Sequence, residues 1–306
     1  MPEMSVQVES LFRPFLDSSS RTHWLGLVIF LVIGLVWVKR QKVSLGSVWQ
    51  RFVRSTSTHL DVQLLIVNRL LKGLLTGTSV FATWWFSLRC AEIFRYCFGD
   101  SGGIIIPASM VSGVALYSVV LFLVEDVTRF ALHKALHQVP LLWRFHQVHH
   151  SATLLTPLTF FRVHPVESIL YQLRSILSVG FVAGLMYWWA GPTVTPLEVW
   201  GVPAIGFALN TLFGNFRHSH LFIQFPRWME LWLVSPAQHQ IHHSIEVQHK
   251  DRNFGTWLSI WDRCSGTLVV STQPPAGFGL VETNHQQGVV SAITSPLWRK
   301  YDSKTV

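Results

Sequence analysis

Residues 133–150 read HKALHQVPLLWRFHQVHH. His133 and His137 stand four apart, and His146, His149 and His150 are spaced by three and four. Residues at those intervals share one helix face. Each set therefore aims its imidazoles in one direction, as a metal site built on bundle helices requires. A later window repeats the pattern as HQIHH, with His239, His242 and His243. Twelve of the fifteen histidines lie in these two windows, which also hold His164, His218, His220 and His249. Packing alone rarely concentrates histidine in this way. Imidazole suits iron, copper, zinc and nickel, whereas magnesium and calcium take oxygen ligands. Eight to ten nitrogen donors exceed what one ion can use, so the pattern predicts two. His220 and His249 are open between ligand and surface roles. His23, His59 and His285 stand apart and read as ordinary hydrogen-bonded or interfacial residues.

The rest of the chain places these sets in a membrane protein. Of 306 residues, 49% are hydrophobic and 13% charged, against about 25% charged in soluble domains. Mean hydropathy is positive, and the 14 tryptophans suit membrane–water interfaces. A net charge of +8 could suggest a nucleic-acid partner. The basic residues instead sit in blocks beside apolar runs, with no basic stripe or binding motif, so none is expected. Cys90, Cys97 and Cys264 form no CxxC pair and no disulfide framework. The first 22 residues are polar without a cleavage pattern, and residues 24–38 read as an anchor.

Five stretches can cross a bilayer, which takes about 20 apolar residues per helix: residues 24–38, 73–88, 104–124, 169–190 and 197–216. Arg174, inside the fourth, is expected to snorkel to the headgroups. Lys39, Arg40, Lys42, Arg51, Arg54, Arg69 and Lys72 crowd the segment between the first and second stretches. Placing that segment in the cytoplasm puts residues 125–168 and 217–306 there as well. The expected fold is all-α: a multi-pass membrane helical bundle of four or five spans, carrying a cytoplasmic histidine-rich helical cap. One domain covers residues 1–306, with anchor spans over 24–124, a core over 125–270 and a polar tail over 280–306.

The histidine sets resemble the fatty acid hydroxylase and sterol desaturase superfamily, whose three boxes HxxxH, HxxHH and HxxHH here read HKALH, HQVHH and HQIHH in order. The flanking text LLWRFHQVHHS, FRVHPVE, SPAQHQIHHS, DRNFG and WDRCSGT matches too. The resemblance covers about residues 125–270. It implies a non-haem di-iron site at the cytoplasmic membrane face that oxidises a lipid C–H bond with O2. Electrons then come from a separate protein of cytochrome b5 or ferredoxin type. Carried over residue by residue, the iron ligands are His133, His137, His146, His149, His150, His239, His242 and His243. His218 matches a further histidine position after the last span, and His164 is a further ligand or a group behind one. Two positions depart from the pattern: His220 stands where relatives often carry Asn, and Ser265 where they often carry a bulky apolar residue.

Other residues have two readings. Glu125 and Asp126 either accept a proton from a ligand imidazole or are interfacial acids, with Arg129 as a partner. Trp261, Asp262 and Arg263 read as fasteners of the cap. Asn210 and Asn215, at the end of a span, face either the site or the interface. No Glu-x-x-His motif lies near the boxes, so the site differs from the carboxylate-rich soluble di-iron bundles. Neither a dinucleotide fingerprint nor a haem-binding His-Pro-Gly-Gly is present, which again points to an external electron donor. The boxes leave hydroxylation and desaturation open, and the substrate open among sterols, acyl chains and alkyl ethers. The rival reading is a zinc transporter or sensor. A transporter would set its ligands inside spans near the midplane, whereas these boxes follow the spans.

Overall fold

The computed structural model describes residues 23–40, 42–100, 110–190, 204–280 and 288–298. The described chain is helical, and its only extended pairings are two isolated bridges, Leu233 with Leu258 and Ser244 with Phe278. Helices α1 (Trp24–Arg40), α2 (Leu45–Arg54), α3 (Thr56–Phe98), α4 (Met110–Gln138), α5 (Pro140–His150), α6 (Pro165–Ala190) and α7 (Ala204–Phe213) come first. Four short helices follow: α8 (Arg227–Glu230), α9 (Pro236–His242), α10 (Ile260–Ser265) and α11 (Val289–Trp298).

Among the described residues, α3 and α6 are each long and apolar enough to cross a membrane, and α1 with α2 makes a third if that bent pair counts as one span. The stretch read at 73–88 is the middle of α3. With 43 residues at about 1.5 Å each, α3 is roughly 65 Å long, about twice the hydrocarbon thickness. It therefore extends well beyond the bilayer, and its first turns meet the histidine-bearing region. Ser55 caps its start by accepting from the Thr58 amide. Parts of the stretches at 104–124 and 197–216 lie outside the described residues.

α3 and α6 pack closely along the sequence GFVAG. A Cβ at Gly184 would lie 2.5 Å from the Ser87 carbonyl oxygen and 2.6 Å from Cys90 Cβ; one at Gly180 would lie 2.7 Å from the Phe86 ring. Small residues four apart let two backbones approach in lipid, where packing rather than hydrophobic expulsion drives association. α4 lies against the other side of α6, where Tyr117 and Leu121 meet Val182, Ala183 and Met186.

Two expectations change here. Arg174 does not snorkel: its Nη2 pairs with Glu125 Oε2 at 2.9 Å and its Nη1 donates to Thr128 Oγ1 at 2.9 Å. Ser178 donates to the same carboxylate. A partner on α4 replaces the headgroup, so neither charge stays unpaired in a low dielectric. The segment after 280 is not uniformly polar either. Its α11 is apolar, and Ala292 is buried with Leu60 and Leu64 of α3 and Val148 of α5.

Candidate metal centre

Box one ends α4, box two ends α5 and box three occupies α9. Pro140 opens α5 with its fixed φ. α9 starts on a capping box, in which Ser235 accepts from the Gln238 amide while the Gln238 side chain accepts from the Ser235 amide. These starts aim the histidines of three elements at one another.

They gather into two adjoining nests. His133, His137, His146, His150 and His242 each offer a ring nitrogen within 4.8 Å of the others, and His149, His218, His239 and His243 do the same. The nests share a wall, where the His150 and His243 rings stack with centroids 4.4 Å apart. All eight box histidines and His218 are thus brought together. His164 is not. Its Nδ1 accepts from the Val166 amide at 3.1 Å, so its Nε2 carries the proton and donates to the Ile293 carbonyl at 2.9 Å. Both nitrogens are consumed in joining the start of α6 to α11, which removes it from the ligand set. His220 packs edge-on against Trp37, and His249 lies 3.9 Å from Glu246; both are outside the nests.

The hydrogen bonds around the five-histidine nest fit a metal. His133 Nδ1 donates to the Phe254 carbonyl at 2.8 Å, His146 Nδ1 to Glu167 Oε1 at 2.8 Å, and His242 Nδ1 to the Arg252 carbonyl at 2.7 Å. His137 Nδ1 stands 3.4 Å from Asp251. Donation from Nδ1 leaves Nε2 with a bare lone pair. The Nε2 atoms of His137, His146, His150 and His242 are buried without a hydrogen-bond partner. Four orphaned acceptors facing one centre would be costly in a hydrogen-bonded core; a cation satisfies them all.

The four-histidine nest makes the same case differently. His218 Nε2 lies 3.2, 3.1 and 2.9 Å from the Nε2 atoms of His149, His243 and His239. His149 donates its Nδ1 proton to the Arg162 carbonyl at 3.1 Å, so its Nε2 can only accept. One shared proton satisfies at most one of the three contacts, whereas a metal ion accounts for all of them. Burial holds His146 and His149 down at about 3 and lowers His150, His239, His242 and His243 well below the usual histidine value. Neutral imidazoles with free lone pairs are the form a metal needs.

The support behind these ligands was only partly readable from the residues. Glu167 is the acid on the His146 imidazole. Glu125 holds Arg174 instead, with Arg129 3.5 Å away. Asp126 accepts from the Trp257 and Leu258 amides and from Trp261 Nε1. Asp262 accepts from the Phe254 and Gly255 amides at 2.8 and 2.7 Å, fixing the loop whose Phe254 carbonyl receives His133. Arg162 is fully buried; it donates to Asp61 Oδ1, Ser57, Ser151 and the Val148 carbonyl. It thereby ties the first turns of α3 to box two. Arg217, also buried, stacks 3.6 Å above the Trp257 ring beside the four-histidine nest. Its Nε and Nη2 have no acceptor among the described residues, and burial pushes it down to about 9 against the pull of Asp126. Sequence reasoning named neither arginine, although Arg162 lies in the FRVHP run and Arg217 immediately precedes His218.

Residues 118–267 match the family model for fatty acid hydroxylase. Alkylglycerol monooxygenase of Danio rerio is 30% identical over 147 residues, covering 48% of this chain and 29% of that protein. Ornithine lipid hydroxylase OlsE of Rhizobium tropici is 26% identical over 185 residues, covering 60% and 51%. Fatty acid hydroxylase vlmA of Lecanicillium sp is 26% identical over 173 residues, covering 53% and 43%. The chain thus spans about half the length of these relatives or less. No solved structure matches it. The segment that carries all nine clustered histidines is the one that matches the fatty acid hydroxylase family.

Proposed function

We propose that the chain is a membrane-bound lipid hydroxylase that holds two iron ions, one in each histidine nest, and oxidises a lipid C–H bond with O2. The observation that supports this best is the pair of adjoining nests in which bare Nε2 lone pairs converge. Bound iron supplies the oxidant that an unactivated C–H bond demands, drawing on dioxygen and reducing equivalents. The chain's own residues bind, orient and exclude. Glu167 and the carbonyls of Phe254, Arg252 and Arg162 fix the tautomer and ring angle of four ligands. Eight of the nine histidines are buried and the His137 side chain is only 6% exposed, which keeps bulk water from the reacting centre. No side chain is assigned as general base.

The named relatives are monooxygenases and hydroxylases, so insertion of oxygen is preferred to desaturation. Their printed substrates are all lipids, which favours a lipid entering from the bilayer. Electrons come from a separate donor of cytochrome b5 or ferredoxin type, and the active site faces the cytoplasm. The zinc-transporter reading is weaker because the nests assemble from the ends of α4 and α5 and from α9, beyond the apolar runs, whereas transport needs ligands at mid-bilayer.

The test uses protein from iron-supplemented cells, with metal counted per chain and host lipids compared with those of His149→Ala cells. The expected result is about two irons per chain and an oxidised lipid that is missing from the variant. Metal flux across vesicles without any lipid change would overturn the enzyme reading.

A further inference from the structure

Away from the histidines, α2 divides cleanly into two faces. At about 100° per residue, Leu45, Val48, Trp49, Phe52 and Val53 fall on one arc, and Ser47, Gln50, Arg51 and Arg54 on the opposite one. No residue of α2 is buried. Leu45 is 58% exposed, Trp49 66% and Val53 42%, while Val48 and Phe52 are half-buried, so most of the apolar arc has no protein cover. α1 precedes it, with Leu31 58% and Val32 54% exposed along an apolar helix that ends in Lys39 and Arg40. An apolar helix ending in basic residues, followed by an amphipathic one, sets α2 where acyl chains give way to headgroups.

The polar arc lines a groove. Ser47, Gln50, Arg51, Arg54 and Ser55, with Thr153 and Leu154, line this groove, which is shallow and open to its surroundings over a volume of about 500 Å³. No ion pair or hydrogen bond engages either guanidinium among the described residues. No acidic side chain lines the groove, while three hydroxyls do. Two uncompensated cations beside hydroxyl groups select an anionic oxygen group.

We propose that this groove seats the anionic, phosphate-bearing headgroup of a membrane lipid, with Arg51 and Arg54 as its charged partners and Ser55 and Thr153 as hydroxyl donors, the Ser47 hydroxyl being spent on the Ser44 carbonyl. A bilayer lipid is the favoured occupant because the apolar arc of the same helix holds the groove at headgroup depth. The assignment goes beyond the oxidation reaction and does not require metal.

The test is native mass spectrometry of the full chain taken from nanodiscs of phosphatidylcholine doped with phosphatidate. Wild type is expected to retain phosphatidate over phosphatidylcholine. R51Q/R54Q is expected to lower that preference by roughly thirtyfold, from two surface charges. Thr153→Glu, which puts a carboxylate into the groove and leaves both arginines in place, should reproduce the loss if R51Q/R54Q folds poorly. Lys39→Gln with Lys42→Gln makes the same charge change outside the groove and should leave retention intact, as should His149→Ala. Equal weakening by the two double variants would mean a diffuse basic field and overturn the site. Release of the lipid by inorganic phosphate at equal concentration would mean a free-phosphate site and overturn it too. So would unchanged lipid retention in R51Q/R54Q, whether or not the same variant abolished salt-sensitive binding of an acidic cytochrome b5 domain.

Discussion

The two histidine nests share a wall but not an environment. Around the five-histidine nest, the imidazoles lean on acceptors that include carboxylates: Glu167 behind His146, and Asp251 near His137. Behind the four-histidine nest, the Arg162 carbonyl supports His149, and the buried guanidinium of Arg217 stands close by. A carboxylate behind an imidazole strengthens it as a donor, whereas a nearby cation opposes added positive charge. With iron in both nests, as proposed, the five-histidine nest is predicted to be the tighter site and the four-histidine nest the more easily reduced one. Similar ligands do not make equivalent sites when the charges behind them differ.

The largest break in that comparison comes from Asp61. Its carboxylate pairs with Arg162 at 3.1 Å, with both side chains fully buried. Asp61→Ala strands the guanidinium that ties α3 to box two. Removing one partner of a buried pair costs about 3–5 kcal/mol. A large drop in melting temperature is expected, with metal lost first from the four-histidine nest as His149 drifts. Equal loss from both nests in metal titrations would show that Arg162 does not act selectively on His149.

Glu167→Gln tests the other nest. It keeps an oxygen acceptor but removes the charge, so affinity at the five-histidine nest should fall about 10- to 100-fold, with a smaller loss at the four-histidine nest, whose His149 also feels the Glu167 charge. The order of metal loading reads this directly: the variant should narrow or invert the difference between the sites. An unchanged order would remove Glu167 from the account.

The smallest effect is expected from Ser235→Ala. Ser235 accepts from the Gln238 amide and donates to Glu230, and loss of such a cap costs about 1 kcal/mol. α9 supplies His239 and His243 to one nest and His242 to the other. Both affinities should therefore weaken together. A change confined to one nest would mean that box three is held independently of its cap.

These nests were readable in advance because helical spacing is local: three- and four-residue intervals put histidines on one face wherever the helix lies. His164 misled because its context resembles a ligand's, yet a proline follows it and its ring binds the amide of Val166. The Asp61–Arg162 pair joins positions 101 residues apart, and the carbonyls of Phe254 and Arg252 are backbone, so neither leaves a residue-type signal. Apolar runs marked long helices but could not show that Glu125 would meet Arg174, since that depends on how α4 packs on α6. The GFVAG close approach did have a visible motif and was overlooked. The apolar α11 was missed because its ten residues are too short for a span and include Pro296.

The central claim is that the nine histidines make two sites rather than one. Its most direct test is iron titration of the purified chain beside His137→Ala/His242→Ala and His218→Ala/His239→Ala. The account predicts two ions bound by wild type and one by each double variant, with the first double variant keeping the weaker site. A single ion in wild type, or loss of all metal from either variant, would contradict it.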